Sequence, residues 1–364
     1  MAGTSFTAAS PLAVKLWARK AFMDAVKPTM FGKLTGKSEN SIVQVKDELG
    51  RTEGDRVRFR IKALPQGIGV QDDQALEGNE EGLDYKYFDL HLGEKRHAFK
   101  VELNLSQHRT MANVREDMKA SIEEWVQEYL DTTFFEVLTG SGQGSSTSVS
   151  KYHPSGMLGG NSLLAPSADR LVYGGTGVTA KAGIAAGDVM SLAVLDKIAE
   201  RAKLAEPTMR KATFDGKKAW VVIMHPYQVN DLRASTSTGQ WFDIQKAAMQ
   251  GGKVDGNPIW TESLGMYRDM ILLESTRIPT FSDYGSGGNV QAARALVLGA
   301  QAGVVAYGKE TQQDGRMKIA EKTFDYGKYL GNAVTMIWGI AKTRFSDQSD
   351  YGVFAVDTAA APTN

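Results

Sequence analysis

The run Arg56-Val-Arg-Phe-Arg-Ile-Lys62 alternates apolar and basic residues without a break. A period of two places Val57, Phe59 and Ile61 on one face of a β-strand and Arg56, Arg58 and Arg60 on the other. A second alternating run, Phe99 to Leu105, sets Phe99, Val101, Leu103 and Leu105 against Lys100, Glu102 and Asn104, and is the expected partner. Between the two lie Gly67, Gly69, Gly78 and Gly82 together with Asp72, Asp73, Glu77, Glu80, Glu81 and Asp84. That excursion is too long for a tight hairpin turn, so the segment reads as a projecting two-stranded arm with an acidic tip.

A long helix succeeds the arm. Val114, Met118, Ile122, Trp125, Tyr129 and Phe134 recur at helical spacing, which predicts a helix over Ala112–Leu138 stopped by Gly140. At 1.5 Å per residue it spans roughly 40 Å, long enough to act as the spine of the fold. From Gly140 to Gly187 the chain turns rich in Gly, Ser and Ala, poor core material that reads as a surface insertion.

Beyond it, Asp188 is the expected N-cap of an Ala-rich helix through Leu192, Leu195 and Ile198, stopping before Pro207. Ala219-Trp-Val-Val-Ile-Met224 reads as a buried strand, with His225-Pro226 opening a helix through Leu232. Apolar runs at Met270–Leu273, Ala295–Leu298, Val304–Tyr307 and Ala333–Ile340 predict a mixed sheet covered by helices. Near the start, Pro11 to Met30 fits a short, partly amphipathic helix interrupted near Pro28.

Composition then removes whole classes of function. Lys plus Arg and Asp plus Glu each number 42, so the chain lacks the broad positive field of a nucleic-acid binder. It has no cysteine, which excludes disulfides, thiolate zinc sites and cysteine nucleophiles, and suits a reducing compartment. The first ten residues do not read as a signal peptide, and no run approaches the roughly eighteen apolar residues of a membrane span.

Candidate chemistry is sparse. Gly32-Lys-Leu-Thr-Gly-Lys-Ser38 resembles a phosphate-cradling loop but is one residue short, and a helix-like segment precedes it where the mechanism needs a strand. The five histidines, His91, His97, His108, His153 and His225, form no His-Glu-x-x-His pair for zinc. His225 stands where active-site groups often lie in α/β proteins, but with Pro226 next to it the expected role is helix capping. There is no Gly-x-Ser-x-Gly elbow, and the acids between Asp72 and Asp84 lack the calcium-loop pattern. Trp241-Phe242 reads as an interface or core anchor.

The order of arm, spine helix and later segments resembles the major capsid proteins of tailed bacteriophages, which share the Johnson fold. The strand-loop-strand of Arg56 to Leu105 leading into Ala112–Leu138 carries the resemblance. So does Trp220-Val-Val-Ile-Met-His-Pro-Tyr-Gln-Val-Asn-Asp-Leu232, similar to the axial-domain strand and helix of those coat proteins. Ile271-Leu-Leu-Glu-Ser-Thr-Arg-Ile-Pro279 and Gly327 to Tyr351 resemble later stretches.

The resemblance implies an α+β capsid fold. Its parts would be an N-terminal arm (1–53), an extended loop (54–105), a peripheral domain (106–184) with spine helix 112–138 and insertion 140–180, an axial domain (185–310), and return strands with the C-terminal segment (311–364). It implies a shell subunit rather than an enzyme, with no cofactor, no metal and no membrane. Its partners would be many copies of itself in hexamers and pentamers, a separate scaffolding protein, a decoration protein, a portal complex and weak contact with packaged DNA. It would reside in the virion after assembly in the bacterial cytoplasm. Expected intersubunit contacts are Arg56, Arg58, Arg60, Asp72, Asp73, Glu77, Glu80, Glu81, Trp241 and Phe242. Rival readings are an encapsulin-like compartment shell, another virion protein, or an α/β enzyme using His225 or Gly32–Ser38.

Overall fold

The computed structural model describes residues 29–49, 54–61, 69–72, 75–78, 80, 86–102, 114–140, 151–153, 157–158, 160–214, 216–234, 263–308, 316–344 and 349–362. The helix expected over Pro11–Met30 lies outside them except for its last two residues. In chain order the described elements are α1 (Met30–Leu34), β1 (Thr35–Gly36), β2 (Val43–Leu49), β3 (Arg56–Ile61), β4 (Lys86–His91), β5 (Gly93–Glu102), α2 (Val114–Thr139), β6 (Met157–Leu158), β7 (Asn161–Ser162) and β8 (Leu171–Tyr173). Then come α3 (Leu192–Leu204), β9 (Ala212–Phe214), β10 (Lys217–Met224), α4 (Pro226–Ala234), β11 (Ser263–Tyr267), β12 (Met270–Glu274), β13 (Thr280–Tyr284), β14 (Val290–Leu298), β15 (Gly303–Gly308), β16 (Lys318–Phe324), β17 (Tyr329–Lys342) and β18 (Val353–Ala359).

Two mixed sheets organise the chain. The six-stranded sheet runs β1-β2-β15-β17-β16, with β5 also paired to β17. The eight-stranded sheet runs β11-β12-β10-β14-β18-β8, with β9 added to β10 and β13 to β14. The chain crosses between them repeatedly, and its last strand, β18, lies antiparallel to β14 in the eight-stranded sheet.

Spine helix α2 joins the two sheets. Ile122, Val126, Leu130, Phe134 and Leu138 share one core with Val43 and Val45 of β2, Val221 and Ile223 of β10, Leu296 and Leu298 of β14, and Val334, Met336, Trp338 and Ile340 of β17. The amino-terminal half of α2 has exposed positions, whereas every residue from Asp131 to Thr139 is buried, so the helix enters the core end-on. Gly140 stops it in the left-handed region at φ +66°, its amide donating to the Glu136 carbonyl at 3.0 Å.

The continuous apolar run of β10 follows from burial on both faces. Trp220, Val222 and Met224 pack under Leu195, Ile198 and Ala202 of α3 and Val229 and Leu232 of α4, while Val221 and Ile223 face the spine helix. A strand wetted on neither side has no polar phase to alternate with.

Four expectations change in detail. The partner of β3 is β4, with Val57 opposite Leu90 and Phe59 opposite Phe88, while β5 starts earlier than expected, at Gly93, and pairs along β17. Alternation identifies a strand and its faces but carries no information about which strand lies beside it. Helix α3 takes Ser191 as its N-cap. Asp188 instead accepts from the Ala185 amide at 2.8 Å, because Val189 is still extended and bridged to Ala359. Finally, Leu171–Tyr173, within the Gly/Ser-rich stretch, is a strand parallel to β18.

Candidate assembly surfaces

The β3–β4 ribbon is amphipathic by register. Its apolar side, Val57, Phe59 and Leu90, packs on Val304, Ala306 and Ala341 of the six-stranded sheet. Its other side places Arg58 opposite Asp89, Arg56 opposite His91 and Arg60 opposite Tyr87. Arg58 grips Asp89 through Nε and Nη2 at 2.7 and 2.8 Å and lies 4.2 Å from the centre of the Tyr87 ring. Those hydrogen bonds and the guanidinium charge hold the Asp89 carboxyl below its ordinary range.

Backbone contacts fix the root of the ribbon. Lys46 Nζ donates to the Arg58 carbonyl at 2.6 Å and Gln301 Nε2 to the Arg60 carbonyl at 2.9 Å. Asn161 brackets His91, accepting its amide at 2.9 Å and donating to its carbonyl at 2.7 Å. Farther out, Asp72, Glu77 and Glu80 are all exposed, and Glu80 turns back to accept the Gly78 amide at 2.8 Å. Asp73, Glu81, Trp241 and Phe242 lie outside the described residues.

The candidate chemical groups are taken up by structure. His225 Nδ1 accepts the Tyr227 amide at 3.2 Å, capping α4 as expected, and burial holds the ring below its ordinary pKa. Gly32–Ser38 is the end of α1 followed by β1, and the Gly32 amide donates to Thr29 Oγ1 at 2.9 Å in a helix cap. Among the described residues no three His, Asp or Glu side chains are grouped to hold a metal.

Two buried ion clusters were invisible to sequence reasoning. In the eight-stranded sheet Arg294 meets Asp357 through two bonds of 2.7 Å, Tyr284 donates to the same carboxylate at 2.6 Å, and Arg294 Nη1 donates to the carbonyl of Thr139, the last residue of α2, at 3.2 Å. Where β17 leaves for β18, Asp350 binds Lys342 at 2.8 Å and Arg344 at 2.6 Å and accepts the Ser167 amide at 3.0 Å. Arg294 and Asp357 balance one another, whereas Asp350 serves two cations, and each cluster ties separate elements together.

A family model described as phage capsid protein matches residues 5–362. The chain belongs to the phage capsid protein family. It is 26% identical over 373 residues to the major capsid protein of Pseudomonas phage KPP25, covering 95% of this chain and 94% of that protein. Among solved structures, the capsid of Ralstonia phage GP4 superposes with a TM-score of 0.80 at 31% identity, over 100% of both chains. The Cyanophage Pam1 capsid shares the fold, with a TM-score of 0.71 at 21% identity over 100% of both chains. The expected α+β capsid fold is therefore correct, and this capsid protein is a structural subunit of a phage shell. That family membership supports the phage-shell reading over the compartment-shell and enzyme alternatives.

Proposed function

We propose that this capsid protein assembles, as hexamers and pentamers, into the icosahedral shell that encloses the double-stranded DNA of a tailed bacteriophage, and that it catalyses no reaction. The observation that carries this reading is the end-to-end correspondence, in sequence and in fold, with the Ralstonia phage GP4 capsid. Assembly would occur in the host cytoplasm around a separate scaffolding protein, with a portal complex at one vertex, a decoration protein outside, and weak contact between shell and DNA. A formal charge of zero supports this, because it limits repulsion among many identical neighbours.

The division of labour follows the same reading. Residues 1–53 form an N-terminal arm, 54–105 the extended loop, 106–184 the peripheral domain, 185–310 the axial domain, and 311–364 the return strands and C-terminal segment. Neighbouring subunits meet through Arg56, Arg58, Arg60, Asp72, Asp73, Glu77, Glu80, Glu81, Trp241 and Phe242. Because Arg58 is engaged by Asp89, the ribbon presents that residue to neighbours as an oriented ion pair.

Deleting Gly67–Gly82 tests the loop's role. The shortened ribbon retains β3, β4 and their packing on Val304, Ala306 and Ala341, so the subunit is expected to fold and to fail in assembly. Closed shells of normal size in electron micrographs of the deletion variant would refute it.

A further inference from the structure

The joint between the spine helix and β5 is filled by stacked rings whose order a shell role does not require. Trp125 of α2 lies between His97 of β5, 4.4 Å away at 15°, and Tyr129, one helical turn on, 5.2 Å away at 6°. Tyr129 meets Trp338 of β17 edge-on at 5.5 Å, and Trp338 stacks on Tyr307 of β15 at 6.2 Å. Exposure grades along the row: Tyr129 is fully buried, Trp338 and Tyr307 almost so, and Trp125 is half-buried. Tryptophan and tyrosine rings in contact therefore lead without a break from the core to the surface.

The polar atoms of the row form a second path. Tyr129 Oη accepts the Trp338 Nε1 hydrogen at 3.1 Å, which leaves its own hydrogen to be donated elsewhere. Its hydrogen-bond neighbour is Thr133, one turn farther along α2, and Thr133 Oγ1 lies 3.2 Å from His153 Nε2. With the His153 proton on Nδ1, Tyr129 donates to Thr133 and Thr133 to His153. Burial and the Lys95 charge bring His153 down to about 4, so its ring is an uncharged base at neutral pH. Burial also raises the Tyr129 phenol above its ordinary value, so it keeps its proton at rest. Lys95 Nζ stands 5.6 Å from the centre of the Tyr129 ring and opposes a second positive charge there. Tyr129 can lose an electron readily only if its proton leaves too.

We propose that Trp125, Tyr129, Thr133 and His153 form a one-electron relay, in which oxidation at the surface end is passed to Tyr129 and its phenolic proton to His153. An oxidant of the peroxyl-radical class takes one electron from the Trp125 indole and leaves as the peroxide anion. Tyr129 returns an electron to the indole radical cation. Its hydroxyl proton moves to Thr133 Oγ1 as the Thr133 proton moves to His153 Nε2. The result is a neutral Tyr129 phenoxyl radical and a His153 imidazolium, with Trp125 restored and no bond between heavy atoms made or broken. Lys95 disfavours the imidazolium, so the proton returns once a one-electron reductant such as ascorbate delivers an electron at the Trp125 end. Such a relay would return core oxidation to the surface in a chain that has no thiol to absorb it.

The test uses purified full-length chain oxidised by light with tris(bipyridine)ruthenium and persulfate, frozen, and read by electron paramagnetic resonance. Tyr87 and Tyr326 are exposed and would be oxidised directly, so the parent carries Tyr87→Phe and Tyr326→Phe. The expected result is a tyrosyl signal that Tyr129→Phe abolishes and Trp125→Phe lowers at least tenfold. Its formation should slow in heavy water, and His153→Leu should remove both most of the signal and that slowing. A full-sized signal in Tyr129→Phe or in Trp125→Phe overturns the relay, and so does a His153→Leu variant that behaves as the parent does.

A measurement on the parent alone keeps the proposal open to refutation should a variant fail to fold. Electron-nuclear double resonance of the radical should resolve hydrogen bonds to its oxygen from Trp338 and Thr133. A radical with no hydrogen bond to its oxygen overturns the assignment to Tyr129. Neither outcome bears on assembly of the shell.

Discussion

Replacing Asp357 with asparagine tests whether the buried ion cluster holds the eight-stranded sheet to the spine helix. Asp357 is fully buried and Arg294 nearly so, and the pair is bidentate at 2.7 Å on both bonds. Burial alone would pull the Arg294 guanidinium down, and the Asp357 charge and hydrogen bonds more than offset it. Asparagine keeps the shape but offers one acceptor oxygen and no charge, and it turns an amide toward either a guanidinium nitrogen or the Tyr284 hydroxyl. Breaking one side of a buried pair costs about 3–5 kcal/mol because the other charge stays buried without compensation. Against a typical stability of about 5–15 kcal/mol, that is a large fraction. The same loss loosens the Arg294 bond to the Thr139 carbonyl, so the carboxyl end of α2 should lose protection from hydrogen exchange along with the sheet. The assay is urea unfolding of unassembled subunits followed by circular dichroism, with Arg294→Met, Asp357→Leu as the paired control. Replacing both partners removes the stranded charge, so the double variant should return to within about 1–2 kcal/mol of wild type. A single variant within about 1 kcal/mol of wild type, or a double variant no more stable than the single, would refute this account.

Three other expectations rest on the structure. Gly140→Ala places a Cβ against the Leu164 carbonyl in a left-handed conformation, whereas Gly54→Ala, at φ +83°, meets nothing within 4 Å. The first should cost several kcal/mol and the second only the roughly 1–2 kcal/mol of the left-handed backbone, and equal unfolding midpoints would contradict that. Burial brings Lys342 down to about 8 despite Asp350. Between about pH 8 and pH 10 the unfolded chain therefore binds the extra proton, and stability should rise with pH by up to about 1.4 kcal/mol per unit. Lys342→Met should flatten that rise in urea midpoints, and an unchanged slope would show that Lys342 is not its source. The Gly67–Gly82 deletion should melt close to wild type while losing assembly, and a collapse of its melting transition would show that the loop stabilises the fold itself.

Much of the fold was legible where burial imposes a single period. Val57 and Phe59 against Arg56 and Arg58 mark a strand with one wet face, and Ala219–Met224 marks one with none. Spine helix α2 was found to within two residues at its start because its amino-terminal half carries a dry stripe. Its other half is buried all round and holds Asp131, Thr132, Thr133 and Glu136, which a stripe cannot announce. Strand pairing was illegible for the opposite reason: β4 and β5 both alternate, and the choice of β4 for β3 depends on Arg58 meeting Asp89 and Phe59 meeting Phe88 across space. The candidate surfaces divide in the same way. Arg56, Arg58 and Arg60 were readable as an outward face, whereas the placing of Lys100 and Lys322 beside the Phe324 ring joins β5 to β16, more than 200 residues later in the chain, and exists only once Gly331 lies between the two lysines. No local pattern singles out Arg294, Lys342, Asp350 and Asp357, and only the crossings between the sheets bury them.

Electron microscopy of the purified chain, alone and co-expressed with a candidate scaffolding protein, tests the central claim most directly. Closed polyhedral particles, or rings with five- and six-fold symmetry, are the predicted result. A chain that remains monomeric at high concentration in both preparations would contradict it.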